Sequence, residues 1–583
     1  MCIPKRLICL AIVCSMILSG CGSKGANNLA GEQNEGFSGL GDASAGQYDG
    51  FFSVAGDASA DIDYPSYVTD VMPSNGSSVQ GSISKNTYDS EMFIPQDSDV
   101  LVDDGEFLGV IERPFTGVTT TPLSTFAADV DTASYTYLRN TIDLCAKYGN
   151  FSEYSDNHEI FMQDIRVEEV LNYFRFDKVD EISYKGDKFA YRAEVGTTPW
   201  NKDTQILAIN VSTPEVPEDL VLKNHFILLI DTSGSMDDVL DDVKESMEVL
   251  ISSLDDEDSI SIVTYAGSYS TLCVNESVGE NKHTILNELQ RLGSSGSTNG
   301  QGGIEKAYEI ANEYKDDYDN TRILVLSDGD FNVGQSSHGE ILNLIESNRE
   351  RGIYLSTFGF GIGNFSDTTM ETLADNGNGS YHYIDSRSEA EKIFEEDFAS
   401  TMYPLANDVK FQIEFNPNKI KAYKQIGYEN RALAPEDFTD ATKDGGEIGY
   451  NHSVTVVYEI VPVESEMDLP NIDLKYQTTE NTGSDDLFTI STSFKEIDSD
   501  ELAIVDESFG SEIVLDDNSA FWKFCTGVTG SVLRLNGSEY VKKFDLADAI
   551  DLISESEDVV TKEKYADEYT TLLKRIQEMY GIH

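Results

Sequence analysis

The chain has 583 residues, 104 of them acidic against 41 basic, for a formal net charge of -63. That length exceeds a single hydrophobic core and predicts two to four domains. Such a charge excludes nucleic-acid binding, which requires basic patches, and describes a surface that repels anionic polymers and gathers cations.

In chain order, Lys5-Arg6 precede an apolar run from Leu7 to Leu18, too short to span a bilayer, and then Leu18-Ser19-Gly20-Cys21. This is the pattern of a signal peptide over residues 1–20. Its ending is similar to a bacterial lipobox, which implies that Cys21 is acylated and becomes the mature amino terminus. Several acyl chains anchor firmly where one is marginal. The expected location is therefore the extracytoplasmic face of the bacterial cell membrane. Residues 21–98 are rich in Gly, Ser, Ala, Asn and Asp without periodicity, and read as a disordered tether.

An N-terminal α+β domain is expected over 99–222. Ser124 to Leu144 reads as a strand and then a helix, joined by Asp129-Val130-Asp131-Thr132. Asp129 and Asp131 suit either a cation or a helix cap, and capping is the simpler use. A second helical pattern, Ile165 to Phe174, carries Arg166, Glu168 and Glu169 on its polar side. Phe189 to Val195 and Ile206 to Val211 alternate as strands do.

The stretch with the most chemistry follows. Phe226 to Ile230 is apolar at every position, as in a strand buried on both faces. It ends at Asp231, after which Ser233 and Ser235 place hydroxyls at alternate positions and Gly234 permits a tight loop. Val239, Val243, Met247, Leu250 and Leu254 then repeat at helical spacing. A strand's carboxyl end meeting a helix amino end is where open α/β sheets place ligands. Two more loops supply oxygens: Gly293 to Gly303, with Thr298, and Asp328-Gly329-Asp330 after the buried run Arg322 to Ser327. Hydroxyls and carboxylates suit a hard divalent cation.

Asp231, Ser233, Ser235, Thr298 and Asp328 resemble, position by position, the metal-ion-dependent adhesion site of the von Willebrand factor type A domain. The resemblance implies that the two serines and the threonine bind the cation directly and the aspartates act largely through water. It also implies a metal, Mg2+ first with Mn2+ or Ca2+ as alternatives, that accepts an Asp or Glu from a partner protein. The fold it implies for residues 223–405 is a doubly wound, mainly parallel sheet, with Ser259 to Tyr265, Ile323 to Leu326 and Ile353 to Phe358 as later strands. Gly359-Phe360-Gly361-Ile362-Gly363 lacks dinucleotide-binding spacing and reads as a turn, and neither a phosphate loop nor a nucleophile elbow occurs.

Residues 406–510 read as a β-rich domain, with strands at Val409 to Phe415, Ile420 to Ile426, Ser453 to Val461, Leu474 to Gln477 and Leu487 to Phe494. Residues 511–583 read as a helical region: Ser519 to Leu533, Phe544 to Ile553 and Lys562 to Tyr580. The segments DVDTASY, IRVEEVLNYF and GYENRALAPEDFTDATKDGGEIG resemble bacterial YfbK-like lipoproteins that carry a type A domain. Cys145, Cys273 and Cys525 sit in apolar contexts as buried hydrophobes, with one disulfide left open. Two other functions stand beside cell-surface binding. One is a metal-assisted hydrolase, against which the neutral hydroxyl ligands and the absence of an H-E-x-x-H pattern weigh; the other is a scaffold with an idle site. The expected protein is a binding module and not an enzyme, and His382 is a structural histidine.

Overall fold

A strand run without polar alternation has to be covered on both faces, and helices cover it so in an α/β layer whose sequence is inserted between the two halves of a β-sandwich. The computed structural model describes residues 112–148, 165–176, 188–217, 220, 222–329, 338–361, 367–440, 443, 445–469, 483–497, 499 and 501–580. The leader, Cys21, the tether, Asp330 and the expected strand Leu474 to Gln477 lie outside the described residues.

The N-terminal half contributes β1 (Thr116–Gly117), β2 (Leu123–Ala127), α1 (Ala133–Tyr148), α2 (Val167–Asn172), β3 (Ala190–Thr197) and β4 (Gln205–Ser212). The α/β layer follows as β5 (Asn224–Asp231), α3 (Leu240–Ser253), β6 (Ser259–Tyr265), β7 (Tyr269–Ser277), α4 (Val278–Gln290), α5 (Gly300–Tyr314) and β8 (Asn320–Ser327). It continues with α6 (His338–Arg349), β9 (Ile353–Gly359), α7 (Asp367–Asn376), β10 (Tyr381–Tyr383), α8 (Arg387–Glu391) and α9 (Phe398–Met402). Its sheet has the order β10-β9-β8-β5-β6-β7, parallel except for β7. Alternate residues of β5 feed opposite cores. Phe226, Leu228 and Ile230 pack with α3 and α4, while Ile227 and Leu229 pack with α5 and α6. This is the doubly wound, mainly parallel arrangement expected. The strand β7 lacks both alternation and an apolar run, because it is a half-exposed edge, and it was not legible beforehand.

The chain then returns to the sandwich with β11 (Pro404–Phe415), β12 (Ile420–Ile426), β13 (Ala432–Leu433), β14 (Gly446–Gly449), β15 (Ser453–Pro462), β16 (Phe488–Glu496) and β17 (Leu502–Phe509). One sheet runs β1-β12-β15-β4-β3 and the other β13-β2-β11-β16-β17, with β14 beside β11. Residues 99–222 and 406–510, read from the sequence as two regions, thus share both sheets: Phe126 pairs with Phe411 and Val211 with Val454. Between the sheets lie Phe126, Leu207, Ile209, Phe411, Val456, Tyr458 and Ile490, all buried.

The outer face of the first sheet is covered by α1, α2 and three C-terminal helices, α10 (Ala520–Leu535), α11 (Leu546–Ser554) and α12 (Glu563–Tyr580). Ser519 caps α10 by accepting from the Trp522 amide at 3.1 Å, and Asp545 caps α11 from the Asp548 amide at 3.0 Å. Trp522 is fully buried and donates its indole N–H to the Ile206 carbonyl at 2.9 Å. Only a glycine fits opposite that ring, since a Cβ at Gly196 would stand 2.6 Å from Trp522 Cε2. Cys145, Cys273 and Cys525 are buried, as expected of small hydrophobes, and no disulfide joins them to one another.

Arginines bind the inserted layer to its frame. Arg431 reaches Asp129 at 3.4 Å, Asp131 at 3.1 Å and, on α7, Asp375 at 2.8 Å. Arg139 of α1 pairs with Asp385 and Glu389 at 2.6 and 2.7 Å, and Arg175 with Asp397 at 2.9 Å. Asp129 and Asp131 therefore serve this ionic joint. The amide of Ser134, in the first turn of α1, is instead held by Glu169 at 2.6 Å. Glu168 and Glu169 are fully buried, so the face of α2 that reads as polar is an inward one. His382 is buried between Thr132 and Ser380, at 3.2 and 2.9 Å, and burial pushes its ring down to about 3. That is a structural histidine.

Candidate metal-binding site

The site forms where β5 and β8 end side by side. These strands are parallel neighbours in register (Ile230 opposite Leu326), so the residues just beyond them converge. Asp231 is fully buried. Its Oδ1 accepts from the Ser233 amide at 2.8 Å, a local bond that turns the chain back on itself. Its Oδ2 faces Ser327 Oγ at 3.4 Å. The hydroxyls of Ser233 and Ser235 lie 3.0 Å apart, the first buried and the second exposed.

The second loop is stitched to the first through main-chain bonds. Ser295 N donates to Thr232 O at 2.8 Å and Gly234 N to Gly296 O at 3.1 Å. The left-handed residue of this arrangement is Gly296, with φ +89°, and Gly234 serves by close approach instead. Thr298 follows Gly296 by two residues, half-buried, directly before Asn299, the N-cap of α5. Ser294 Oγ adds a bond to Asp237 Oδ1 at 2.6 Å.

The third loop brings Asp328, buried, and Gly329, whose φ of +91° and bond to Ser327 Oγ at 3.1 Å fix the turn. Burial pushes the Asp231 carboxyl up to about 6; bonds from Ser233 oppose that rise and the nearby Asp328 charge adds to it. Two groups not picked out from the sequence belong here. Ser327 lines Asp231 from the end of β8. Tyr265, fully buried at the end of β6, lies beside Asp231, and its phenol is held well above the usual range by burial and then by the Asp231 charge. A large phenol closing a neighbouring buried strand is the signal that marks it.

The structure thus brings Asp231, Ser233, Ser235 and Asp328 together and joins the Thr298 loop to them by backbone bonds. Among the described residues no group of three or more His, Cys, Asp and Glu is placed to hold a metal. The donor set here is of another kind, two carboxylates with hydroxyls, which suits a hard cation that keeps an open position. His225 sits at the opposite end of β5 from Asp231, against Ser261 at 2.9 Å.

A von Willebrand factor type A domain model matches residues 226–396, a von Willebrand factor model matches 102–208, and a model of the C-terminal part of uncharacterized protein YfbK matches 400–579. The chain is 36% identical over 358 residues to the uncharacterized protein YfbK of Escherichia coli, which covers 60% of each protein. It is 28% identical over 236 residues to an uncharacterized protein of Synechocystis sp., covering 40% of this chain and 55% of that one. It therefore spans less than two thirds of the length of either relative. Among solved structures, a von Willebrand factor type A protein from Catenulispora acidiphila aligns over 68% of this chain and 92% of its own, at 15% identity and a TM-score of 0.37. The type A match falls on the α/β layer and the YfbK match on the returning strands and helices, so the chain carries a von Willebrand factor type A domain followed by a region similar to the C-terminal part of YfbK.

Proposed function

We propose that this protein is a membrane-anchored, extracytoplasmic binding module that captures a partner protein through an acidic side chain on a divalent cation. The observation that carries the reading is the backbone stitching of two loops, Gly234 to Gly296 and Ser295 to Thr232, at the strand end where Asp231 and Asp328 converge. Ser233, Ser235 and Thr298 would hold the ion, with Asp231 and Asp328 orienting that shell from beneath. Bound there, the ion supplies a positive open position for a carboxylate, and Mg2+ is the first candidate among hard cations.

The charge balance supports the same reading. Asp231 and Asp328 lie at the base of the site, and Asp237, Asp238 and Asp241 are exposed just beyond Ser235. Without a cation these groups repel a partner carboxylate. Ser233 and Ser235 add no negative charge of their own, so the ion's charge is not cancelled by its direct ligands.

Thr298→Ala tests the ligand set. In a Mn2+ titration of the full chain it is expected to weaken binding by about 10- to 100-fold. An unchanged titration would remove Thr298 from the ligand set. The anchor is tested separately: Cys21→Ala is expected to move the protein from the membrane fraction to the soluble one. Retention in the membrane would count against acylation at Cys21.

A further inference from the structure

We infer that the protein holds a second cation, of the Ca2+ class, between the carboxylates of Glu168 and Glu429, apart from the site at Asp231. The inference stands independently of the function proposed above. Its starting point is Glu168, which is 1% exposed and has no hydrogen-bond partner for either oxygen among the described residues. A buried carboxylate is stable only when it is paired, hydrogen-bonded or set against a metal.

The neighbouring cations are engaged elsewhere. Arg166 pairs with Glu169 at 3.0 Å and Glu371 at 2.9 Å, and Arg431 with Asp129, Asp131 and Asp375. Arg113 directs its guanidinium to Gln425 Oε1 and to the carbonyls of Tyr428 and Glu429, at 3.4, 3.5 and 3.1 Å. Glu168 meets more negative charge instead. Burial pushes its carboxyl well above the usual range, and the charges of Glu429 and then Asp129 push the same way.

A glycine brings the two carboxylates together. Gly427 has φ +83°, and a Cβ there would stand 2.5 Å from Glu168 Oε2. Burial also raises the Glu429 carboxyl, and bonds from the amides of Glu429 and Gly427, with the charge of Arg113, oppose that rise. Gly427 thus has one carboxylate against its Cα and the other on its N–H. Beside them lies a cavity of about 180 Å³, lined by Val167 and Gly427 and by the acidic Glu112, Glu429 and Glu539. It offers room for water and a wall that draws cations.

Among the described residues no three His, Cys, Asp or Glu side chains surround one ion, so the shell is two carboxylates completed by water. Ca2+ accepts such an irregular set, with carboxylates binding through one oxygen or two, where Mg2+ demands an octahedron. Glu168 belongs to α2 and Glu429 to the loop after β12, so the ion ties the N-terminal half to the returning strands. The segments that carry them, IRVEEVLNYF and GYENRALAPEDFTDATKDGGEIG, have no part in the site at Asp231.

The test is a Ca2+ titration of the full chain by isothermal calorimetry, with a thermal melt beside it. Salt of about 0.15 M screens the general attraction of a net charge of -63. The parent is expected to bind Ca2+ at a site that Thr298→Ala leaves intact and that Glu168→Gln and Glu429→Gln each weaken by about tenfold or more. In chelator, Glu168→Gln is expected to melt no lower than the parent, because it removes an unpaired buried charge and keeps the shape. Ca2+ is expected to raise the melting temperature of the parent more than that of Glu168→Gln. Equal Ca2+ binding by the parent and either glutamine variant would overturn the inference, and a proton would then be what neutralises Glu168. Failure at Thr298 leaves the Glu168 site standing, and failure at Glu168 leaves the Asp231 site standing.

Discussion

Asp231→Ala is expected to weaken cation-dependent binding of an acidic partner by about 10- to 100-fold while the protein stays folded. Asp231 does three things at once: its Oδ1 holds the Ser233 amide, its Oδ2 faces Ser327, and its charge lies under the two serine hydroxyls. Losing the carboxylate frees the first loop and removes negative charge that a cation would neutralise. The cost to the fold is smaller. One hydrogen bond contributes about 1 kcal/mol, and removing a buried carboxylate also removes its desolvation penalty. Binding of the peptide acetyl-Gly-Gly-Asp-Gly-amide in Mg2+, read beside a thermal melt, checks this. A folded Asp231→Ala protein with parental binding would show that the serine loop is not the site.

Arg431→Ala is expected to destabilise the protein by about 3–5 kcal/mol, the range found when one partner of a buried ion pair is removed. Arg431 lies between Asp129 and Asp131 of the N-terminal half, both buried, and Asp375 on α7, which is half-buried. Asp131 also receives the Tyr381 amide of β10 at 2.7 Å, so the same cluster fixes both α7 and the sheet edge beside it. Without the guanidinium, Asp129, Asp131 and Asp375 face one another without the cation that pairs with all three. Chemical denaturation of parent and variant measures the difference, and a loss under about 1 kcal/mol would mean that apolar packing alone holds the inserted layer in place.

Local pattern carried much of the α/β layer. The run Phe226 to Ile230 is apolar at every position because both its faces are covered, and the helical repeats after it match α3. The C-terminal helices were equally legible, since Ser519 and Asp545 mark their starts and Tyr569, Leu572, Leu573 and Ile576 form one buried face. What stayed hidden is non-local. Nothing near β2 announces that it pairs with β11, almost three hundred residues later, so a single sandwich reads as two separate regions. Edge strands such as β7 and β17 bury too little to leave a period. Glu168 and Glu169 look like a solvated helix face because the elements that cover them come from elsewhere in the chain.

At the site, the alternate Asp231, Ser233 and Ser235 stood out only beside the loops that carry Thr298 and Asp328, since a short polar loop after a strand is common by itself. Ser327 did not, because a serine closing a buried strand looks like part of the strand. Nor did the bonds between the first two loops, which run through the main chain and leave no mark in side-chain identity.

The most direct measurement is the position of Mn2+ in crystals of the full chain, located by its anomalous scattering. The account predicts one ion among Ser233, Ser235 and Thr298, with Asp231 and Asp328 behind it. Manganese found elsewhere, with those five side chains left without an ion, would contradict it.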